Sequence, residues 1–386
     1  MSAPAPKVYG WCPGALRPMM SGDGLVVRIR APLGRLSSDQ AQAVADLSQS
    51  YGNGLLDVSA RAHLQMRGVR EEDHPALITA LQRLGLVDTD PAAESRRNVL
   101  VAPFWTHDDE TYALAQQLSN ALTAATDLSL PGKFGFAIDT GPSPVLRDTA
   151  ADIRIERTTD CLILVADCAE TGLPVTAATA VKEALSLAHW FLDQGGAPDG
   201  RGRMKTLIAR RGPPSAHVAP RCTPAERPTL GPIATGQLVG LEFGQIPAAS
   251  FADLTTHGAL RLTPWRMLLV ENATNLAPQP GLILDASDPR LRVSVCTGAP
   301  GCTQALSSTR QLARDLAPHV PAQSILHLSG CAKGCAHPAS APLTLTATAA
   351  DTFNLIRNGK ASDHPAQTHL SAAQLRASPD ILTKGS

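Results

Sequence analysis

The sequence predicts an α+β protein built by duplication, in which two kinds of unit alternate in the order A-B-A′-B′. Three observations carry this expectation. The chain has 386 residues, too many for one ordinary core and enough for several lobes. A strand–helix–strand pattern near the start returns in the second half of the chain. Each copy is followed by a strand, a helix and a Gly/Pro-containing loop, and such self-similarity at long spacing signals duplicated architecture.

The elements read as follows. Residues 1–8 form a frayed Ala/Pro-rich start, and residues 10–20, with Pro13, Gly14 and Pro18, read as an ordered loop. Gly22-Asp23-Gly24 opens a strand over 25–30. Ser37 followed by Gln40 is a helix-capping pattern, and the amphipathic helix after it runs to about residue 50, where Gly52-Asn53-Gly54 stops it. A strand over 55–59, its exit through 60–69, and a helix over 73–84 complete a β-α-β-α unit. Residues 237–244, 248–256 and 260–270 repeat that unit, with Ser59-x-Arg61 answering to Thr263-Pro264-Trp265-Arg266.

Between the two copies, residues 98–103, a helix over 110–124 and the loop 130–135 parallel a later stretch that carries cysteines, although this first copy has none at the matching positions. Residues 160–166 have a buried-strand pattern, and 175–192 form a helix ended by Gly195-Gly196. Six prolines within 210–234 mark a linker, and the last thirty or so residues look peripheral. The expected units are 1–90, 91–215, 216–285 and 286–386.

Composition bounds the function. The chain is 44% apolar and 18% charged, so it can bury a core. Thirty-four basic residues balance thirty-four acidic ones, which argues against a nucleic-acid partner. No apolar run approaches a membrane span and no secretory signal is visible, so the expected location is the cytoplasm.

The chemistry is concentrated between residues 296 and 335, in V-C-T-G-A-P-G-C-T and S-G-C-A-K-G-C-A-H-P. Cys296-x5-Cys302 and Cys331-x3-Cys335 each lie on a Gly/Pro loop, with a helix over 303–317 and a strand over 324–328 between them. Four thiolates converging from two loops suit a [4Fe–4S] cluster. Glycines 298, 301, 330 and 334 let backbone N–H groups approach the sulfurs. Zinc knuckles prefer shorter, matched spacers, disulfides need an oxidising compartment, and buried free cysteines are the remaining alternative. Cys12, Cys161, Cys168 and Cys222 are scattered and read as ordinary thiols, with Cys12 ambiguous.

The C-x5-C and C-x3-C pair resembles the cluster motif of the sulfite and nitrite reductase family, whose last cysteine also bridges to sirohaem iron. The wording S-G-C-A-K-G-C-A-H-P, with G-W-C-P-G-A-L-R-P-M near the start, is most similar to one branch, the precorrin-3B synthases of aerobic cobalamin synthesis. The resemblance covers most of the chain, from about Tyr9 to about Asn358. It implies two ferredoxin-like half-domains plus two α/β lobes, with redox centres at the interface of the halves. It further implies O2-dependent hydroxylation of precorrin-3A with lactone formation, electrons from a reduced nicotinamide (NADH), and a mononuclear non-haem iron. His337 is the candidate ligand for that iron, with His63 and His327 behind it. No nicotinamide-binding Gly-x-Gly-x-x-Gly is apparent, so the electrons are expected to come through an electron-donor protein or through a site that the sequence does not reveal.

A tetrapyrrole bearing acetates and propionates needs arginines, whose planar fork matches a carboxylate. Arg28, Arg30, Arg61, Arg67, Arg96, Arg97, Lys133, Arg261 and Arg266 stand at strand ends and loop exits. The resemblance assigns carboxylate contacts to Arg61, Arg97 and Lys133, and the repeat adds Arg266. Arg28, Arg30 and Arg67 occupy alternating strand positions that can face water. One departure from the family pattern matters. Lys133-Phe134-Gly135 replaces the expected Lys-Phe-Lys, which removes a charge and a proton donor and leaves room for a large substrate. The competing readings are a sirohaem-dependent sulfite or nitrite reductase, against which Gly135 and the short chain weigh, and a non-catalytic electron-transfer module.

Overall fold

A computed structural model describes residues 13–88 and 90–383; the expected frayed start and Cys12 lie outside them. The architecture is mixed α+β, with four sheets that fall into two pairs. The first half-domain orders its strands as Met19–Ser21, Gly24–Ile29, Leu64–Val69, Leu55–Val58 and Gln245–Pro247. The second orders Gly231–Ile233, Gly236–Leu241, Met267–Glu271, Leu260–Leu262 and Arg35–Leu36. Each half-domain therefore lends a short strand to the other. Ile246 pairs with Leu56 and Leu260 pairs with Leu36. One apolar core runs through both, from Val27, Leu56 and Leu64 to Val239, Phe251 and Leu268.

The helix Ser38–Tyr51 begins where the sequence places it. Ser37 Oγ accepts from Gln40 N at 3.1 Å and Gln40 Oε1 accepts from Ser37 N at 3.0 Å, a reciprocal cap. It packs on the helix Ala248–Thr255 of the second copy. The exit segment 60–69 holds a full strand, Leu64–Val69, paired with both Gly24–Ile29 and Leu55–Val58. The unit is thus β-α-β-β-α and not β-α-β-α, because Ala62 takes a left-handed turn (φ 52°) that folds the chain into a hairpin.

The other two sheets share one pattern. In the first, Val99–Val101, Phe136–Asp139 and Ile153–Arg157 are parallel, and Leu162–Ala166 and Thr171–Val175 then add antiparallel. In the second, Val293–Val295, Leu326–Ser329 and Ala341–Ala349 are parallel, and Thr352–Gly359 and Gln367–Ser371 add antiparallel. This shared order is the duplication that the sequence suggests. It also moves one correspondence. Phe136–Asp139 matches Leu326–Ser329, so the counterpart of the second cysteine loop is the segment after residue 139, and 130–135 lies at the opposite end of the strand.

Two further expectations are corrected. Only Arg310–Leu316 of the 303–317 stretch is helical. The residues before it spend backbone bonds on the cysteine loops, with Ala305 N donating to Cys302 O (3.1 Å) and Leu306 N to Gly330 O (2.8 Å). The chain end is not peripheral either. It contributes Gln367–Ser371 to the sheet and buries Leu375 and Leu382 completely in the same core as Phe353. No helix among the described residues is long and apolar enough to cross a membrane.

Candidate functional site

The four cysteines meet at one cavity. Cys296 follows the strand Val293–Val295 directly, and its N–H donates to Leu328 O at 3.3 Å. Gly298, at φ 70°, turns the chain so that Cys302 N reaches Gly298 O at 2.9 Å. Cys331 and Cys335 lie on the loop after Leu326–Ser329, where Ser329 Oγ donates to Cys331 O at 2.7 Å. Gly330 N donates to Cys296 Sγ at 3.1 Å, and a Cβ at Gly330 would stand 2.8 Å from Ala305 Cβ, so only glycine allows that approach.

The cavity, of about 470 Å³, is lined by all four cysteines together with Asp57, Ser59, Gln65 and Arg67 of the first half-domain and Arg266 of the second. The first half-domain grips the cysteine loop at one atom. Gly301 O accepts from Ser21 Oγ (2.6 Å), Arg67 Nη2 (2.8 Å) and Gly22 N (3.3 Å). Arg67 also bonds Asp23 and Asp57. Its position on an alternating strand does not turn it to water. Arg28, Arg30 and Arg67 are all buried, since apolar residues on both faces of V-V-R-I-R and of its partner strand Leu64–Val69 place both strands inside the protein.

The electrostatics suit a positively charged metal core bound by the sulfurs. Burial and the neighbouring Cys296 and Cys302 push the Cys331 thiol up, and burial with the three other thiols does the same at Cys335. A bound metal would relieve both by taking up the thiolates. Arg266 and Arg310 stand near Cys296. Burial lowers both, taking Arg266 to about 10, and Cys296 opposes that fall in each. Among the described residues no group of three or more His, Cys, Asp or Glu is arranged to hold a single metal ion, His337 included. The four thiols line one cavity, and four cysteine sulfurs are the ligand number of a [4Fe–4S] cluster.

The remaining predicted residues divide. Arg266 lines the cavity and donates through Nη2 to Ala336 O at 2.9 Å. Its repeat partner is Ala62 and not Arg61. Ala62 and Arg266 share positive φ (52° and 61°), and each lies three residues after a hydroxyl, Ser59 or Thr263, that ties its turn. Arg61 is half-buried on the turn whose Ser59 and Ala60 line the cavity. Arg97 forms a two-point ion pair with Asp88, at 2.8 and 2.9 Å. With Arg30 and His63, Arg97 lines a separate and nearly closed space of about 10 Å³. Lys133 is exposed and lines neither space.

Arg261 and Arg96 are structural. Arg261 bonds Glu271 (2.6 Å), Pro103 O (2.8 Å) and Trp105 O (2.5 Å), and Arg96 Nε bonds Leu122 O (3.0 Å). His337 is half-buried with its ring 5.7 Å from that of His327, which is fully buried. Gly135 does not leave room: a Cβ there would meet Asn98 Nδ2 at 2.7 Å, so Asn98 occupies the space. Sequence reasoning undervalued Arg30, whose Nε and Nη1 have no partner among the described residues and which burial lowers to about 10.

Residues 17–84 match the family model of the nitrite/sulfite reductase ferredoxin-like half domain. The fold aligns with the structure of the Mycobacterium tuberculosis NirA protein at a TM-score of 0.65 and 19% identity, over 92% of this chain and 79% of that one. In that segment and in its fold the chain is similar to nitrite and sulfite reductases. It is also similar to a precorrin-3B synthase of Sinorhizobium sp, 29% identical over 92% of this chain and 84% of that protein. A ferredoxin–nitrite reductase of Synechococcus elongatus is 25% identical over 85% of this chain and 77% of its own length.

Proposed function

We propose that the chain is a precorrin-3B synthase, an oxidoreductase that uses O2 to hydroxylate precorrin-3A and closes a lactone from a ring acetate. One oxygen atom would enter the macrocycle and the other would leave as water, with the electron pair coming from a reduced nicotinamide, directly or through a donor protein. The observation that carries this reading is the cavity itself. It is large, walled by cationic and apolar groups, and bordered by four thiols. The similarity to a precorrin-3B synthase over nearly the whole chain supports the same reading.

Cys296, Cys302, Cys331 and Cys335 would hold a [4Fe–4S] cluster, which when bound supplies electrons one at a time. The protein's own groups then have defined tasks. Gly330 N donates to one sulfur, Arg266 and Arg310 offset negative charge, and Arg67 fixes the loop through Gly301. A mononuclear iron near His337 belongs to this proposal only through the family resemblance.

A sirohaem-dependent nitrite or sulfite reductase is the second reading, favoured by the ferredoxin–nitrite reductases among the relatives. Gly135 weighs against it. The position carries no proton donor, and the Asn98 amide fills the space that a side chain would need. The test is turnover of precorrin-3A by cluster-reconstituted protein with reduced nicotinamide and 18O2. A product one labelled oxygen heavier is expected. Reduction of nitrite or sulfite, with precorrin-3A left unchanged, overturns the proposal.

A further inference from the structure

Strand alternation puts one carboxylate on the wall of the cysteine cavity. In the strand Leu55–Val58, Leu56 and Val58 belong to the core shared by the half-domains, and Asp57 between them lines the cavity with the four cysteines. Among the described residues that line this cavity Asp57 is the only acid, and it stands against three arginines, Arg67, Arg266 and Arg310.

Asp57 is held from three units of the fold. Its Oδ1 accepts from Gln245 Nε2 at 2.8 Å, on the strand lent by the second half-domain. The same oxygen lies 3.8 Å from Arg310 Nη2, at the start of the helix Arg310–Leu316 in the lobe that carries the cysteines. Its Oδ2 accepts from Arg67 Nη1 at 3.3 Å. Burial lowers Arg266 and Arg310, and the charge of Asp57 opposes that fall in both, as does Cys296. Arg310 is therefore shared between Asp57 and the first thiol of the set.

Packing alone does not require a carboxylate here. An asparagine could accept the same bond from Gln245 with no charge to bury. Four thiolates around an iron–sulfur core leave a net negative group, and each added electron makes it more so. A carboxylate on the wall of that cavity repels the electron, and a guanidinium attracts it. The surrounding charge is one of the quantities that set a cluster's reduction potential, and it acts strongly where water is scarce.

We propose that Asp57 and Arg310 are an opposed pair of charges that sets the reduction potential of a cluster held by the four cysteines, with Asp57 holding it down and Arg310 holding it up. The pair presupposes the cluster proposed above and no particular substrate. Both act through space as tuning residues. A lowered potential makes the cluster a stronger one-electron reductant toward whatever the cavity holds.

The test uses full-length protein with its cluster reconstituted without oxygen and poised with dithionite and redox mediators. The reduced fraction is read by electron paramagnetic resonance and by loss of visible absorbance, for the wild type, Asp57→Asn, Asp57→Glu and Arg310→Gln. At the potential that half-reduces the wild type, Asp57→Asn is expected to raise the reduced-to-oxidised ratio about tenfold, which is about 59 mV for a one-electron couple. Asp57→Glu restores the charge and is expected to stay within about twofold of the wild type, while Arg310→Gln lowers the ratio about tenfold. Opposite signs separate charge from loosened packing, because water admitted to the cavity favours the more highly charged reduced form in both variants. An unchanged ratio in Asp57→Asn, or shifts of the same sign in Asp57→Asn and Arg310→Gln, overturns the pair. If Asp57→Asn does not retain iron, Arg310→Gln decides: a lowered ratio supports the pair, and an unchanged or raised one overturns it. A wild type that takes up no iron and sulfide removes the cluster and the pair together, whereas full iron with unmoved potentials removes the pair alone.

Discussion

Arg67 donates through Nη2 to the carbonyl of Gly301 at 2.8 Å, a bond between residues 234 positions apart. It joins the first half-domain to the loop between Cys296 and Cys302. Because Arg67 also pairs with Asp23 and Asp57, the loop is anchored to a buried charged network.

Replacing Arg67 with methionine is expected to destabilise the fold by about 2–3 kcal/mol, since half-buried Asp23 is left with Asn53 and Asp57 with Gln245 and the more distant Arg310. Urea unfolding measures this, and iron retention during reconstitution should fall in parallel. A change below about 1 kcal/mol would assign Arg67 to the solvated surface charges.

The four cysteines should behave as one set. Serine at Cys296, Cys302, Cys331 or Cys335 is expected to abolish iron–sulfur absorption after reconstitution. Serine at Cys161, Cys168 or Cys222, which line none of the described cavities, should leave it unchanged. Iron retained in full by any of the first four variants would remove that thiol from the set.

Glu271 ties the two half-domains through Arg35 and Arg261. Burial alone would raise its carboxyl, but the hydrogen bonds from Arg35 and Arg261 and then their charges outweigh it and hold the group at about 2. A folded-state value below the unfolded one gives stability that is complete above about pH 4.5 and fades as pH falls toward 2. Allowing for solvent screening at Arg35, the ion pairs contribute roughly 1–2 kcal/mol. Glu271→Gln should lose about that much at pH 7 and show a flatter stability curve between pH 5 and 2. An unchanged acid limb in denaturation measurements would contradict the assignment.

Gly298→Ala is expected to be among the most damaging small substitutions. Its Cβ would lie 2.4 Å from Thr309 Oγ1 on a backbone at φ 70°. The Thr309–Cys296 carbonyl bond, at 2.9 Å, must then break or shift. Slower or incomplete cluster assembly, followed by absorbance against wild type, is the expected outcome.

His327 is fully buried, and neither of its ring nitrogens has a hydrogen-bond partner among the described residues. Removing a buried, unsatisfied polar group commonly stabilises, so His327→Leu should raise the urea midpoint by the equivalent of about 1–2 kcal/mol. A loss of stability would mean that the imidazole has a partner in the working protein.

Much of this was legible in the sequence because local chemistry agreed with the fold. The Ser37–Gln40 cap, the helix Glu110–Ala124 and the cysteine loops each follow from residue types at fixed spacing. What was not legible depends on long-range partners. Nothing local announces that Gln245–Pro247 crosses to pair with Leu55–Val58, or that residues 303–309 give their backbone bonds to the cysteine loops. The alternating arginines of V-V-R-I-R looked like one exposed face because the period of a strand cannot say whether its second face is also covered. The Arg61–Arg266 correspondence failed by one residue, since matching residue type is weaker evidence than matching backbone conformation. Gly135 was read as room for a ligand, yet Asn98, which packs into that space, lies in a different element.

The most direct test of the account is the visible spectrum of protein purified without oxygen, with iron and acid-labile sulfide counted on the same sample. The account predicts a broad iron–sulfur envelope, iron and sulfide in cluster proportion apart from about one further iron for the mononuclear site, and no sharp haem-type bands. Sharp bands with iron in excess of sulfide would make sirohaem a resident group and contradict the substrate cavity proposed here. Protein that takes up neither iron nor sulfide on reconstitution would contradict the cluster itself.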